Sequence, residues 1–323
     1  MGNSPPDHHR DLDLLNPYAR IIVDEALRRG ITFRLLDPEA GYFCLTHGGR
    51  SIVCLESLSE LTSAIAMSLC DDKSATLRLL RRAGLRVPEQ VRAGDEEANR
   101  AFLERHGRIV VKPLRGEQGA GVSVNIHDAD EMDMAVRDAR RFADTVLLEE
   151  HVDGEDLRIL VIGDEVVAAA VRRAPTIVGN GHDDIRTLIK VRSREREQET
   201  GGESRIPLDH ETERCVHDAG FGLDHVLEAG VELVVRDTYN LHKGATIHDV
   251  THLLHPHIAG MALEAARLID IPVMGLDLLM PDVRGEDYVI IEANERPGLA
   301  NHAPRPTAQR FIDLLFPDTV QGP

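Results

Sequence analysis

Two nearly apolar segments near the carboxyl end constrain the fold of this chain more than any other feature. Pro272–Leu279 contains a single acid, Asp277, and the later segment Val289–Asn294 ends with Glu292 and Asn294 two positions apart. Side chains two apart share one face of a strand, so a neighbouring strand can bring Asp277 to them. An acid buried in an apolar strand costs free energy unless it is paired or metal-bound. The pattern therefore predicts a site of oxygen ligands for one or two Mg²⁺ ions, with Mn²⁺ as the alternative metal.

A lysine and a glycine-rich turn follow another apolar strand. The segment at residues 109–122 reads I-V-V-K-P-L-R-G-E-Q-G-A-G-V, with Lys112 at the end of the strand. Glycines let the backbone approach a triphosphate and aim N–H groups at it, while the lysine supplies a point charge. The same pattern is typical of a glycine-rich hairpin with a surface lysine, so the segment alone leaves both interpretations open. The P-loop and the G-x-G-x-x-G signatures are absent from the sequence.

An acidic hairpin follows at residues 147–158, with the sequence L-L-E-E-H-V-D-G-E-D-L-R. An extended segment of this kind can bind adenine through backbone N–H and C=O groups, and a carboxylate can bind the ribose hydroxyls. Taken by itself, the segment is equally typical of a solvated acidic hairpin. It becomes informative only in combination with the other motifs.

The charge balance limits the partners of the chain. Asp and Glu number 55 against 37 Lys and Arg, a net charge of −18. A surface this negative repels phosphate backbones, so we expect no nucleic-acid partner. Carboxylate substrates and a transferring phosphoryl group require local basic donors. The sequence offers such donors at Arg158, Arg172, Arg173 and Arg296.

Metal, redox and membrane signals are weak. Five histidines between residues 242 and 257 suggest zinc, but they share no helix face and have no cysteine partner, so we interpret them as ordinary polar residues. The four cysteines form no C-x-x-C pair. No apolar run approaches the roughly 18 residues of a membrane helix, and the first residues fit neither a signal peptide nor a myristoylation site. We expect a cytoplasmic, lipid-free protein with no membrane partner.

Alternating helical and strand patterns predict a mixed α+β / α/β fold with antiparallel strands. A helix is predicted at Leu58–Leu69, a loop at residues 200–210 and a strand at 231–235. The predicted organisation has five parts along the chain: a disordered tail at 1–15, an amino-terminal lobe at 16–70, a central lobe at 71–150, a carboxyl-terminal lobe at 151–317 and a tail at 318–323.

The order of these motifs resembles the ATP-grasp superfamily. It rests on Asp72-Lys73 before a helix, V-V-K-P-L-R-G-E-Q-G-A-G-V, E-E-H-V-D-G-E-D-L-R, G-L-D-L-L and I-E-A-N-E-R-P-G. The segments V-R-R-A-P-T-I-V-G-N-G-H and N-L-H-K-G-A-T-I-H-D-V-T resemble the ATP-grasp domain of cyanophycin synthetase. The segments G-G-E-S-R-I-P-L-D and E-A-N-E-R-P-G-L-A-N-H, with residues 36–68, resemble the ligase part of N-acetylglutaminylglutamine synthetase. The resemblance covers about residues 16–317.

The resemblance implies an ATP-grasp fold, in which two α+β lobes clasp ATP behind a small amino-terminal α/β lobe. It also implies roles for the motif residues. Those expected to bind ATP are Lys73 and Lys112 at the phosphates, Arg115, Gly116, Gly119 and Gly121 in a loop that closes over them, Glu149, Glu150 and Val152 in the adenine hinge, and Asp156 at the ribose. Those expected to hold Mg²⁺ are Asp277, Glu292 and Asn294. Those expected to contact the acyl-phosphate or substrate carboxylate are Arg158, Arg172 and Arg296.

The implied activity is that of an ATP-dependent carboxylate–amine ligase acting through an acyl-phosphate. The first hypothesis is a dipeptide formed from glutamine- or glutamate-like small molecules. The alternatives are a ligase that extends an amino-acid polymer or a protein tail, and a nucleotide-binding regulator without turnover. Dipeptide synthetases of this type commonly carry an acetyltransferase domain ahead of the ligase, for which this chain has no room, so a separate acetyltransferase partner is expected if the substrate is acetylated. A homo-oligomer is compatible with the sequence.

Overall fold

The computed structural model describes residues 11–115, 121–202 and 204–320. The strands are β1 (Thr32–Asp37), β2 (Tyr42–His47), β3 (Arg50–Leu55), β4 (Leu58–Ser59), β5 (Gln90–Arg92), β6 (Ile109–Pro113), β7 (Ser123–Ile126), β8 (Val146–Glu150), β9 (Glu155–Ile162), β10 (Glu165–Arg173), β11 (Thr176–Val178), β12 (Glu232–Val234), β13 (Thr246–Asp249), β14 (Val273–Met280) and β15 (Val289–Asn294). The α-helices are α1 (Pro17–Arg28), α2 (Ala64–Asp71), α3 (Lys73–Arg82), α4 (Glu96–His106), α5 (Ala129–Ala139), α6 (Ile185–Glu199), α7 (His210–Asp218), α8 (Pro256–Ile269) and α9 (Thr307–Leu315).

The described residues divide into two compact units, each made of discontinuous segments. The first unit takes its residues from Met1–Val87, Leu157–Ala170 and Asp249–Pro323, and the second takes them from Pro88–Asp156 and Val171–His248. Most of the tail predicted at 1–15, and the end of the tail predicted at 318–323, lie outside the described residues. No helix among the described residues has both the length and the apolar character needed to cross a membrane.

The amino-terminal part of the first unit is a β-meander packed against helices. Strands β1 to β4 form an antiparallel sheet in sequence order. Phe33 lies between the exposed residues Thr32 and Arg34, and both Phe33 and Phe43 are almost completely buried, so one face of this sheet is buried. That face joins a core with Ile22 of α1 and Phe311 of α9. Asn16 begins α1 by accepting a hydrogen bond from the amide of Ala19 at 2.9 Å.

A second sheet, in the order β13-β10-β9-β14-β15, contains the two apolar segments singled out in the sequence. Most residues of β14 are buried, including Val273, Leu276 and Met280, as expected for a strand covered on both faces. Helix α8 begins with a proline at its first turn and contributes Ala262 and Ala265 to the buried residues. Asp277 is therefore the single acid in an otherwise apolar, mostly buried strand.

The second unit begins with an antiparallel sheet in the order β5-β8-β6-β7. Helices α4 and α5 contribute Phe102 and Met132 to a core shared with Val111 and Leu148. The rest of this unit is a smaller cluster, built on the β11–β12 pair and on helices α6 and α7.

The mixed α+β fold with antiparallel strands is confirmed, and one local prediction is wrong. The helix predicted at Leu58–Leu69 begins only at Ala64, because Ser63 caps it by accepting from the amide of Ala66, and β4 occupies the start of that range. Helix α7 lies almost entirely within residues 211–230, for which the sequence predicted no element. It is short, and Val216 is its one buried apolar residue, so few apolar positions mark it in the sequence.

One ion pair of the first unit predicts a pH-dependent stability. Arg305 donates two hydrogen bonds to Asp249, at 2.9 and 2.6 Å, and this lowers the pKa of Asp249 to about 2. A carboxylate whose pKa is lower in the folded chain stabilises it above the unfolded pKa of about 3.9, and that stabilisation is lost as pH falls toward 2. Asp249→Asn should lower the free energy of unfolding by less than about 1 kcal/mol at neutral pH, because the pair is solvent-accessible.

The measurement is urea unfolding of the wild type and of Asp249→Asn at several pH values from about 7 to 3. The difference in unfolding free energy between the wild type and Asp249→Asn should stay constant down to about pH 5 and shrink below pH 4. Asp164→Asn, which changes an acid with an 87% exposed side chain, is the control. A difference that persists undiminished at pH 3 contradicts the prediction.

Candidate functional site

The three residues predicted to bind metal lie on one face of the β14–β15 ladder. Asp277 stands directly opposite Glu292, and Gly275 stands opposite Asn294. Opposed residues of an antiparallel pair are close neighbours on one face. A Cβ atom at Gly275 would lie 3.0 Å from the Cβ of Pro297, so glycine allows the segment after β15 to pack closely here. The structure therefore brings Asp277, Glu292 and Asn294 together.

Asp277 is buried and is held by Arg158 on the neighbouring strand β9. The guanidinium binds both carboxylate oxygens, with an Nη2–Oδ2 distance of 2.7 Å. Bidentate pairing of this kind neutralises the acid and fixes its orientation. Arg158 was predicted to face the acyl-phosphate, and the structure shows that two of its donors are directed at Asp277 instead. Its role as a substrate contact stays a prediction.

Glu292 forms an ion pair with a lysine side chain. Lys73, the first residue of α3, lies with its Nζ atom 3.0 Å from Glu292 Oε1. Asp72 caps the same helix by accepting from the amide of Ala75 at 2.8 Å, which fixes the position of Lys73. Burial, followed by the nearby acids Glu295 and Glu292, raises the pKa of the Cys70 thiol to about 12.

The donor set fits Mg²⁺. Asp277 and Glu292 supply carboxylates, and Asn294 uses its amide nitrogen on the Gly275 carbonyl at 3.4 Å, which leaves the amide oxygen as a ligand. Within the described residues no group of three or more His, Cys, Asp or Glu side chains could hold a metal. A bound ion would therefore depend on Asn294 and on oxygens from a substrate as well as on the two acids.

The second unit contains a buried ion pair at the predicted phosphate lysine. Lys112 on β6 lies with its Nζ atom 2.6 Å from Glu149 Oε2 on β8, and both side chains are less than 10% exposed. Gln90 donates a further hydrogen bond to the same oxygen at 2.8 Å. Glu149 was predicted to form part of an adenine hinge, and the structure shows that its side chain pairs with the lysine.

The other hinge residues differ in what their backbone groups already bind. The amide of Glu150 donates to the Glu89 carbonyl at 2.8 Å, and the amide of His151 donates to the Arg108 carbonyl at 3.3 Å. Within the described part of the chain, the Val152 amide donates no backbone hydrogen bond. Nucleobase binding by the Val152 N–H group stays a prediction.

Asp156, Arg172 and Tyr239 form a polar group in the second unit. Arg172 binds both oxygens of Asp156, at 2.6 and 3.0 Å. Burial raises the pKa of Tyr239, and the acids Asp237 and Asp156 raise it further. The sequence motifs did not select Tyr239, although it directly precedes the N-L-H-K-G segment.

The remaining predicted residues are Arg296, Arg115 and three glycines. Arg296 lies in the first unit with its Nε atom 4.0 Å from Glu56 Oε2. Gly121 has φ +71°, and a Cβ atom there would lie 2.5 Å from a ring carbon of Phe142, so a glycine is required at this position. Arg115 is exposed. Gly116 and Gly119, and with them most of the predicted phosphate loop, lie outside the described residues.

Comparisons with known proteins agree with this picture. Residues 70–182 match the RimK-like ATP-grasp domain. Cyanophycin synthetase of Trichormus variabilis is 30% identical over 323 residues, covering 95% of this chain and 36% of the relative. The bifunctional glutathione biosynthesis protein GshAB of Clostridium perfringens is 26% identical over 326 residues, covering 95% of this chain and 42% of the relative. The chain thus spans well under half the length of these relatives.

A solved structure shows the same fold. The bifunctional glutathione synthetase of Pasteurella multocida superposes with a TM-score of 0.68 at 21% identity, covering 95% of this chain and 45% of that one. The resemblance to N-acetylglutaminylglutamine synthetase stays a prediction. The matched model identifies residues 70–182 as a RimK-like ATP-grasp domain, and the solved structure shows that the chain has the ATP-grasp fold.

Proposed function

We propose that the chain is an ATP-dependent carboxylate–amine ligase that activates a carboxylate as an acyl-phosphate and joins it to an amine. The observation that carries this proposal is the β14–β15 ladder, where Asp277 and Glu292 lie opposite each other and each acid is paired with a cation. A nucleotide sensor has little need for two acids and an amide arranged for metal binding, whereas a phosphoryl-transfer enzyme needs them.

In the first step the substrate carboxylate attacks the γ-phosphorus of ATP, the bond to the β-phosphate oxygen breaks, and ADP leaves. Lys73 and Lys112 neutralise negative charge on the phosphates, so that positioning and electrostatics carry most of the catalysis. Asp277, Glu292 and Asn294 would hold Mg²⁺, which when bound supplies further charge neutralisation.

In the second step the free amine attacks the acyl carbon, and inorganic phosphate leaves as the amide forms. The tetrahedral intermediate carries an oxyanion that a guanidinium stabilises. Arg172 and Arg296 are the proposed donors for the substrate carboxylate and this oxyanion, while Arg158 fixes Asp277. Water must be kept from the acyl-phosphate, because hydrolysis would waste ATP.

The proposed substrates are glutamine- or glutamate-like, and the product is a small dipeptide. A second candidate is stepwise extension of an amino-acid polymer or protein tail. It is favoured by the alignment with cyanophycin synthetase, which covers 95% of this chain. Both candidates use the same chemistry and differ in the length of the product.

The experiment is a screen of acid and amine pairs with Mg-ATP, measuring phosphate release and product mass. We expect phosphate release that requires both an acid and an amine. A single condensed mass identifies dipeptide synthesis, and a ladder of masses identifies polymer extension. Nucleotide binding without phosphate release for any pair would contradict the ligase and favour a regulator.

A further inference from the structure

The turn between β3 and β4 contains a residue in an unfavourable backbone conformation. Leu55 pairs with Leu58, so the turn has two residues, Glu56 and Ser57. Glu56 has φ +52°, the left-handed region that glycine and asparagine usually occupy in such turns. Strain of this kind concentrates at functional sites, because folding alone would favour glycine. The identity of the side chain at residue 56 therefore requires an explanation.

Two hydrogen bonds fix this turn and its carboxylate. Ser57 is 1% exposed and donates from its hydroxyl to the Pro297 carbonyl at 2.7 Å. Asn16 donates from its side-chain amide to Glu56 Oε1, also at 2.7 Å, while its own oxygen caps α1. One oxygen of Glu56 is thus held by a rigid helix end, and the turn itself is anchored to the segment after β15.

Arg296 lies next to the second oxygen of Glu56 without binding it. The separation of 4.0 Å between Arg296 Nε and Glu56 Oε2 exceeds a hydrogen bond. The Arg296 side chain is 33% exposed and that of Glu56 is 19% exposed, so both are accessible. Within the described residues the Arg296 guanidinium makes no hydrogen bond, which leaves its donors available to a ligand.

These opposite charges lie beside the candidate metal ligands. Arg296 follows Asn294 by two residues, and Gly298 packs so closely that a Cβ atom there would lie 2.8 Å from a ring carbon of Tyr18. The backbone that carries Arg296 is therefore held in place by the same part of the molecule that holds Glu56. A small molecule bound here would have one anionic and one cationic group within a few ångströms of each other.

We propose that Glu56 and Arg296 form a site for the head group of a free α-amino acid. Arg296 binds the α-carboxylate, and Glu56, oriented by Asn16, binds the α-ammonium. This deepens the proposed ligase function and rests on it. The substrate held here carries an unmodified amino group, because an N-acyl group would remove the charge that Glu56 recognises. Any acetylated substrate is consequently bound elsewhere.

The test is calorimetric titration of the full chain with the proteinogenic L-amino acids, with and without Mg²⁺ and a non-hydrolysable ATP analogue. The tightest binder is then compared with its N-acetyl and its α-amide derivatives. Each blocked derivative should bind about tenfold more weakly or worse, because a charged hydrogen bond is lost and its protein partner is left unpaired.

Two variants separate recognition from folding. In Glu56→Gln, N-acetylation should no longer weaken ligand binding, whereas amidation should still weaken it. In Arg296→Gln, amidation should no longer weaken binding, whereas N-acetylation should still weaken it. Glu60→Gln, which changes another acid near the same turn, should preserve both penalties. Glu56→Gly relieves the turn strain, so it should fold at least as well as Glu56→Gln while showing the same loss of discrimination.

Several results would overturn the inference. They are the absence of binding by every amino acid under both conditions, equal affinity for free and blocked ligands, and an equal weakening of all ligands in both variants. If acid- and amine-dependent phosphate release persists in such a case, only the head-group site fails. If amino acids bind as expected but no phosphate release occurs with any pair, the ligase function fails and the binding site remains.

Discussion

Glu292→Gln should lower kcat by about a hundredfold or more while the chain remains folded. Glu292 lies opposite Asp277 and 3.0 Å from Lys73, and it is one of the two acids proposed to hold Mg²⁺. Loss of its charge removes several kcal/mol of transition-state stabilisation, and each 1.36 kcal/mol corresponds to a factor of ten. The ion pair with Lys73 is partly exposed, so its loss should change the free energy of unfolding by no more than about 1 kcal/mol.

The measurement combines steady-state kinetics with Mn²⁺ binding followed by electron paramagnetic resonance in the presence of ADP. Glu292→Gln should weaken Mn²⁺ binding together with kcat. Glu286→Gln is the matched control, because Glu286 belongs to the same unit, precedes β15 and has a 69% exposed side chain. Near-wild-type kcat in Glu292→Gln would remove this residue from the proposed metal site.

Asp277→Asn gives a less direct test of the same site. Arg158 binds both oxygens of Asp277, and the two side chains are 18% and 9% exposed. Removing the acid's charge leaves a mostly buried guanidinium with a weaker partner, which destabilises the fold as well as the site. A loss of activity in this variant would therefore mix two effects, whereas Glu292→Gln isolates one.

The sequence allowed prediction of those parts of the site that depend on a local pattern. Asp277, Glu292 and Asn294 were found because an acid in an apolar strand and two polar residues at i and i+2 are visible in the sequence. Their position on one face of the β14–β15 ladder agrees with this alternation. Gly121 was selected because a glycine-rich turn can approach a triphosphate, and its φ of +71° is one that glycine adopts readily.

Contacts between distant segments could not be predicted in the same way. The pairing of Lys112 with Glu149 depends on the side-by-side placement of β6 and β8, which the order of elements does not determine. The sequence did not identify Glu56 as a site residue, because its positive φ angle can be seen only in the structure. Helix α7 was missed because a short helix with little buried apolar surface has a weak periodic signal.

Lys112→Met should lower both stability and nucleotide binding. Lys112 and Glu149 are almost completely buried and lie 2.6 Å apart. Breaking a buried pair leaves the remaining charge uncompensated, at a cost of about 3–5 kcal/mol in the free energy of unfolding. The hydrogen bond from Gln90 to Glu149 remains, so the lower part of that range is expected. The proposed contact with the ATP phosphates would be lost at the same time.

The double variant Lys112→Met with Glu149→Gln separates these two effects. It removes both buried charges, so stability in urea should recover most of what the single variant loses. Nucleotide binding should not recover, because no lysine remains to meet the phosphates. The measurable quantity is the increase in unfolding free energy caused by Mg-ATP, which depends on ligand concentration relative to Kd.

Lys190→Met, on the exposed face of α6, should leave that increase unchanged and alter stability by no more than about 0.5 kcal/mol. A double variant that recovers stability and also keeps the full Mg-ATP effect would show that Lys112 serves the fold alone.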